Sequence, residues 1–310
     1  MMQHWTRSTH WLIACLPGVA TAQFTTSAES TARYQGAPLR SASQVVVDPP
    51  IVPGDVAVAN VLSDPAMDGF SEARGEARFG IDALGGYARN LARASGYAPR
   101  FDPPDDVHAT SEVSAILSYR VTSRTTPVGT PITVRALLVF TGELGVANYF
   151  GHAAPGELMA TFAAEYRIDG VTHFSATATM EQRVSHFSGG PVFTVSGPWA
   201  ASWNGGRADV PGLGEYNAMS LHHVDTVNFN TVMAHDFDVE FMQSATARIP
   251  GPWEAFARAD FTNTGRFSFE AFDASTGLRI DDAVFTIVPS PAAWMALSAG
   301  LIAARRRRER

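Results

Sequence analysis

From residue 55 onward, apolar and polar positions alternate with period two, the spacing of a β-strand. Residues 72–79 (EARGEARF) alternate charged with small or apolar side chains. Val113, Ala115, Leu117, Tyr119 and Val121 form one strand face, and Ile132, Val134, Ala136, Leu138 and Phe140 another. Phe162, Ala164, Tyr166 and Ile168 lead into Asp169 and Gly170, and Thr172, Phe174, Ala176, Ala178 and Met180 return. Asp-Gly between alternating runs predicts a two-residue hairpin, because both residues accept the positive φ of a type I′ turn. Phe237, Val239 and Phe241 alternate with Asp236, Asp238 and Glu240. Ala255, Ala257, Ala259 and Phe261 precede a predicted turn at Thr262–Gly265, and 266–273 and 283–288 complete the set.

This pattern predicts roughly nine to eleven strands without long amphipathic helices between them, which argues against a parallel α/β sheet. The expected fold is all-β, an antiparallel β-sandwich with a jelly-roll-like arrangement. The many inward alanines predict close sheet packing, with phenylalanine filling the wider places. Residues 23–54, rich in Thr, Ser, Ala and Pro, read as a flexible lead-in, so the sandwich is expected over 55–287.

The ends break the alternation. Residues 1–22 read as a signal peptide, with Arg7 ahead of the short apolar run 11–20 (WLIACLPGVA). Ala20 and Ala22 give the small-x-small pattern that signal peptidase accepts, with cleavage before Gln23. Leu12 to Cys15 also matches a lipobox, an alternative that would place a lipid on Cys15. At the other end, Val288, Pro289, Ser290 and Pro291 precede 13 uncharged residues, 292–304, and then Arg305, Arg306, Arg307 and Arg308. The prolines favour an extended backbone that a protease can grip. The arginines would stay on the cytoplasmic side. The run is shorter than the roughly 20 residues of a spanning helix, so it predicts transient inner-membrane retention.

All 23 basic residues are arginine, and the one cysteine is Cys15. Between residues 23 and 288 lie 17 arginines and 29 acids, a net charge of −12. A body of that sign is not expected to bind nucleic acid. Without further cysteines it has no disulfide framework, thiolate metal site or thiol nucleophile.

The three-part tail resembles the PEP-CTERM sorting signal, carried by Val288, Pro289, Pro291, Trp294, Gly300, Leu301 and the Arg305–Arg308 cluster over residues 288–310. Ser290 stands where that family has glutamate. The resemblance implies cleavage by an exosortase-type membrane enzyme and a place at the cell surface or in the extracellular polysaccharide layer. Residues 70–287 are also similar to a β-rich domain common among PEP-CTERM proteins, through the alanine-alternating early strands and the late segment 257–264 (ARADFTNT). That likeness implies an architecture and no catalysis.

Candidate chemistry is sparse. Gly-x-Ser-x-Gly, His-Glu-x-x-His and phosphate-binding loop motifs are absent. His222, His223 and Asp225 lie near Asp236, Asp238 and Glu240 in the chain. The four carboxylates are a candidate Ca²⁺ site, and the alternative is a solvated strand face opposite Phe237, Val239 and Phe241. Trp199, Trp203 and Trp253 lie among Gly and Pro, and are candidates for stacking on sugars or for lids on the core. The expected function is that of a non-enzymatic secreted surface or matrix protein. The alternative is a carbohydrate-binding or carbohydrate-active sandwich.

Overall fold

A computed structural model describes residues 23–32, 40–48, 55–63, 70–82, 85–97, 107–148, 156–184, 191–210, 214–249 and 255–288. The signal-peptide positions Ala20 and Ala22, and the tail beyond Val288, lie outside these residues. So do residues 292–304, expected from the sequence as a short hydrophobic sorting helix.

Fifteen strands are described. They are β1 (Gln23–Ala32), β2 (Arg40–Asp48), β3 (Asp55–Ser63), β4 (Phe70–Asp82), β5 (Gly85–Tyr97), β6 (Val107–Thr122), β7 (Pro131–Asn148) and β8 (Gly156–Ile168). There follow β9 (Val171–Val184), β10 (Val192–Ser196), β11 (Trp203–Val210), β12 (Gly214–Val232), β13 (Asp236–Ile249), β14 (Ala255–Asp273) and β15 (Val284–Val288). They form an eight-stranded sheet in the order β10-β9-β8-β13-β6-β1-β2, with β15 also on β6, and a seven-stranded sheet in the order β11-β12-β7-β14-β5-β4-β3. All pairings are antiparallel, as expected for a sandwich. A jelly roll places its eight strands in two sheets. Here the sheets are wider, and β8-β9-β10 and β3-β4-β5 follow one another as meanders. Among the described residues no helix is long and apolar enough to cross a membrane.

The predicted hairpin is present: Asp169 and Gly170 have φ of 50° and 75°, and Ile168 faces Val171. Two expectations are corrected. The lead-in at 23–54 contributes β1 and β2, with β1 laid along β6. Its inward residues are small and polar, Thr26 and Ser30 both fully buried beside Ala28, so the alternation is muted. Ser30 Oγ donates to the Ala59 carbonyl at 2.7 Å, which satisfies a hydroxyl that burial would otherwise penalise. The segment Thr262–Gly265 is a bulge within the continuous β14, where the register with both β5 and β7 shifts, and not a turn between two strands.

The core joins both sheets. At one end small side chains fill it, with Ala57, Ala73, Ala77, Ala92, Ala94 and Ala109 fully buried. There β1 and β4, in opposite sheets, bring Cα atoms within 8 Å of each other. At the other end aromatic rings fill it, with Phe140, Phe162, Tyr166, Phe241 and Phe261 fully buried.

Strand β15 and strand β1 share one edge of β6. Val288 faces Ser118, and Gln23 faces Ile116, two residues further along the same strand. The two ends of the described body therefore meet in line, separated by about two residues of strand rise, roughly 7 Å.

Asp282, just before β15, ties the loop after β6 in place. Its carboxylate accepts from Ser123 Oγ at 2.8 Å, Thr125 Oγ1 at 2.8 Å, the Arg124 amide at 2.8 Å and the Thr125 amide at 3.1 Å. The Ser123 hydroxyl first, then the Thr125 hydroxyl and these amides, hold its pKa down to about 2 from an ordinary 3.8. A depressed pKa means that the tie is whole above pH 3.8 and is lost as pH falls from there through about 2. Protection of the Arg124 and Thr125 amides from hydrogen exchange, relative to their intrinsic rates at each pH, is expected to fall across that acid window. Asp282→Asn is expected to lower it already at neutral pH, and unchanged protection in that variant would show that the loop is held otherwise.

Candidate functional site

The acidic strand is the first candidate. Asp236, Asp238 and Glu240 share the outer face of β13, opposite the buried Phe237, Val239 and Phe241. Register gives each carboxylate its own donor. Arg120 on β6 faces Asp236 and grips it with Nε at 2.6 Å from Oδ1 and Nη2 at 2.8 Å from Oδ2. That fork holds the Asp236 carboxyl below its ordinary range. Ser118 Oγ donates to Asp238 at 2.5 Å, and Arg167 of β8 reaches Glu240 at 3.5 Å. Asp225 stands apart, on β12 in the other sheet. The four carboxylates expected to share a cation are thus not brought together, and three of them are engaged in cross-strand pairs. No group of three His, Cys, Asp or Glu gathers among the described residues in a way that could hold a metal ion.

The second candidate surrounds His223. It faces inward from β12, 9 % exposed, while His222 faces out. One 3-10 turn, residues 200–202, brings Ser202 to it, with Oγ 2.8 Å from Nδ1. The Asp225 carboxylate lies 4.0 Å from Nε2. Burial lowers the imidazole pKa, opposed by the Asp225 charge, so the ring is neutral at pH 7. With the proton placed on Nε2, facing Asp225, Nδ1 accepts from the Ser202 hydroxyl; this is a tautomer assignment. The order Ser–His–Asp is that of a hydrolase triad, but the nitrogens are exchanged relative to it and 4.0 Å exceeds a hydrogen bond. What the arrangement does chemically is fix a buried imidazole. Sequence motifs gave no sign of Ser202, because only the folded turn carries it to β12.

The tryptophans on either side of that turn are buried as well. Trp199 is fully buried and Trp203 is 9 % exposed, so neither ring is offered to a sugar, contrary to one of the two sequence expectations. Gly197, with φ of 90°, reverses the chain, and Ser202 N–H donates to the Trp199 carbonyl at 2.9 Å. The indole of Trp199 then lies 5.6 Å from each of Phe140, Phe162 and Phe174. Trp253 lies outside the described residues.

The third candidate is the outer face of the eight-stranded sheet. Register lines up Thr194, Thr179, Thr161, Thr246 and Thr110 on five neighbouring strands, followed by Glu29 on β1. Thr161 and Thr179 lie within hydrogen-bond distance, 3.2 Å between hydroxyls. A depression of about 390 Å³ lies over β1, β2, β6 and β13, and one of about 260 Å³ over β6, β8, β9 and β13. Hydroxyls donate and accept alike, so this face suits polar ligands without selecting among them. In comparisons with known proteins, the chain matches no family model, no curated protein and no solved structure.

Proposed function

We propose that the chain is an exported cell-surface or extracellular-matrix protein, cut by signal peptidase before Gln23 and by an exosortase-type enzyme at its C-terminal signal. The tripartite tail 288–310 carries this reading: the Pro-Ser-Pro element, the uncharged run and the arginine cluster, in that order. The meeting of Gln23 and Val288 on one edge of β6 supports it, because leader and tail then leave the body at the same place. One patch of the molecule faces the membrane during both cleavages, and the sandwich projects away from it. In the membrane the tail is a short hydrophobic helix that holds the protein until it is cut.

The test is the intact mass of the mature protein from hosts with and without the exosortase. The tail is expected to be lost only where the enzyme is present. A product that still ends at Arg310 in the enzyme-positive host overturns the proposal.

A second reading, a carbohydrate-binding sandwich, no longer draws on Trp199 or Trp203. It draws on the polar outer faces of the sheets.

A further inference from the structure

The outer face of the seven-stranded sheet carries arginines in rows. Register places Arg258 of β14 opposite Arg93 of β5, and Arg93 opposite Arg74 of β4. Four residues along these strands, Arg89 faces Arg78. Between the two rows run Asp260, Leu91 and Glu76. Directly opposed side chains on antiparallel strands have Cβ atoms about 4.5–5.5 Å apart, and like charges there repel.

The protein neutralises only part of this charge. Arg258 pairs with Asp260, and Arg74 with Glu76 at 2.9 Å. Arg78, Arg89 and Arg93 have no carboxylate partner among the described residues. Arg89 lies 5.3 Å from the centre of the Tyr87 ring and Arg93 5.6 Å from that of Phe256. The Nε–H groups of Arg74, Arg78, Arg89, Arg93 and Arg258 are buried without an acceptor. Two of these five arginines already hold a carboxylate through Nη2, so the shortage of acceptors falls on Arg78, Arg89 and Arg93.

We propose that this face binds a linear acidic polysaccharide whose sugars carry carboxylates. The proposal deepens the carbohydrate reading and does not depend on export. The guanidinium fork matches a planar carboxylate through two parallel hydrogen bonds. The intervening Asp260 and Glu76 accept from sugar hydroxyls, so alternating basic and acidic rows fit a polymer that presents acids and hydroxyls together. A nucleic acid fits worse. Its phosphates would meet those same carboxylates, and its bases need open rings to stack on. The Tyr87 and Phe256 rings are 8 % and 0 % exposed, with arginines over them. The net charge of −12 over residues 23–288 opposes any polyanion at long range, acidic polysaccharide and nucleic acid alike. At physiological ionic strength charges beyond about 8 Å are largely screened, so the arginine face acts locally.

The experiment is calorimetric titration of the purified full-length protein with polygalacturonate. Neutral dextran, single-stranded DNA and phosphatidylglycerol vesicles serve as comparators. Polygalacturonate is expected to bind, and more weakly at high salt. Arg93→Gln is expected to lower affinity about tenfold or more, with a melting temperature within about 2 °C of the parent. Arg120→Gln, on the other sheet, is expected to leave affinity unchanged. Absence of polygalacturonate binding, equal binding of dextran, or undiminished binding by Arg93→Gln overturns the proposal. Tighter binding of DNA or vesicles also overturns it and assigns the face to a polyphosphate or lipid surface. A salt-sensitive dimer abolished by Arg93→Gln, without polygalacturonate binding, overturns it in favour of a second copy of the chain. Failure here leaves the C-terminal mass result untouched, and a retained tail leaves the titration untouched.

Discussion

Gly75→Ala is expected to destabilise the protein by about 3 kcal/mol, a drop in melting temperature of roughly 5–10 °C. The sign is the informative part. In a strand, replacing glycine with alanine ordinarily stabilises by about 0.5–1 kcal/mol, because the unfolded chain loses freedom. Gly75 faces inward from β4, against the backbones of β1 and β6. A Cβ there would overlap the Thr110 carbonyl oxygen of β6 and lie 3.0 Å from the Glu29 carbonyl of β1. Both are backbone atoms of the opposite sheet, so no side-chain rotation relieves the overlap, and the sheets must part. Separating them strips contact from the buried Ala73, Ala77, Ala109 and Ala28 around the same point. Gly206→Ala on β11 is the control. No atom lies within 4 Å of its added Cβ, and the change is expected to be neutral or slightly stabilising. Urea unfolding of both variants checks the pair. A Gly75→Ala protein as stable as its parent would mean that the sheets do not approach here as described.

The alternating runs of β6, β7, β8, β9 and β13 were legible in the sequence because large apolar side chains mark one face of each, and that of β4 because charged side chains mark its outer face. The hairpin at Asp169 and Gly170 was legible because its turn chemistry is local. Strand β1 was not, since Thr26, Ala28 and Ser30 lie in the part of the core filled by small side chains. The bulge in β14 was misread because Thr, Asn and Gly serve a turn and a bulge equally well. Among candidate sites, the failures share one cause. Whether Asp236 meets a cation or Arg120 depends on the register of β13 against β6, a pairing of residues 116 positions apart. The arginine rows were hidden in the same way. Arg74, Arg93 and Arg258 lie far apart in the chain, and only the order β14-β5-β4 sets them side by side.

Trp199→Ala is expected to cost about 4 kcal/mol and to leave the protein largely unfolded at moderate urea, in the range measured for truncating buried aromatic residues. The fully buried indole lies in the aromatic part of the core. It stacks on Phe162 at an interplanar angle of 28° and meets Phe140, Phe174 and Trp203 edge-on. Truncation leaves a cavity that these rings cannot fill, since Phe162 is already held against Phe261 and Phe140 against Phe174. Trp199→Phe is expected to be much milder. It keeps a ring in place and removes an Nε1–H that is buried without an acceptor. A sugar-stacking role gives the opposite pattern: Trp199→Ala would then fold normally and lose only glycan affinity. Circular dichroism and the fluorescence of the five remaining tryptophans, followed through a urea titration, separate the two. In polygalacturonate titrations at zero denaturant, the capacity of Trp199→Ala is expected to follow its folded fraction, with unchanged affinity per folded molecule. Arg93→Gln is expected to do the reverse. The two substitutions together therefore distinguish the residue that builds the scaffold from the residue that faces the ligand.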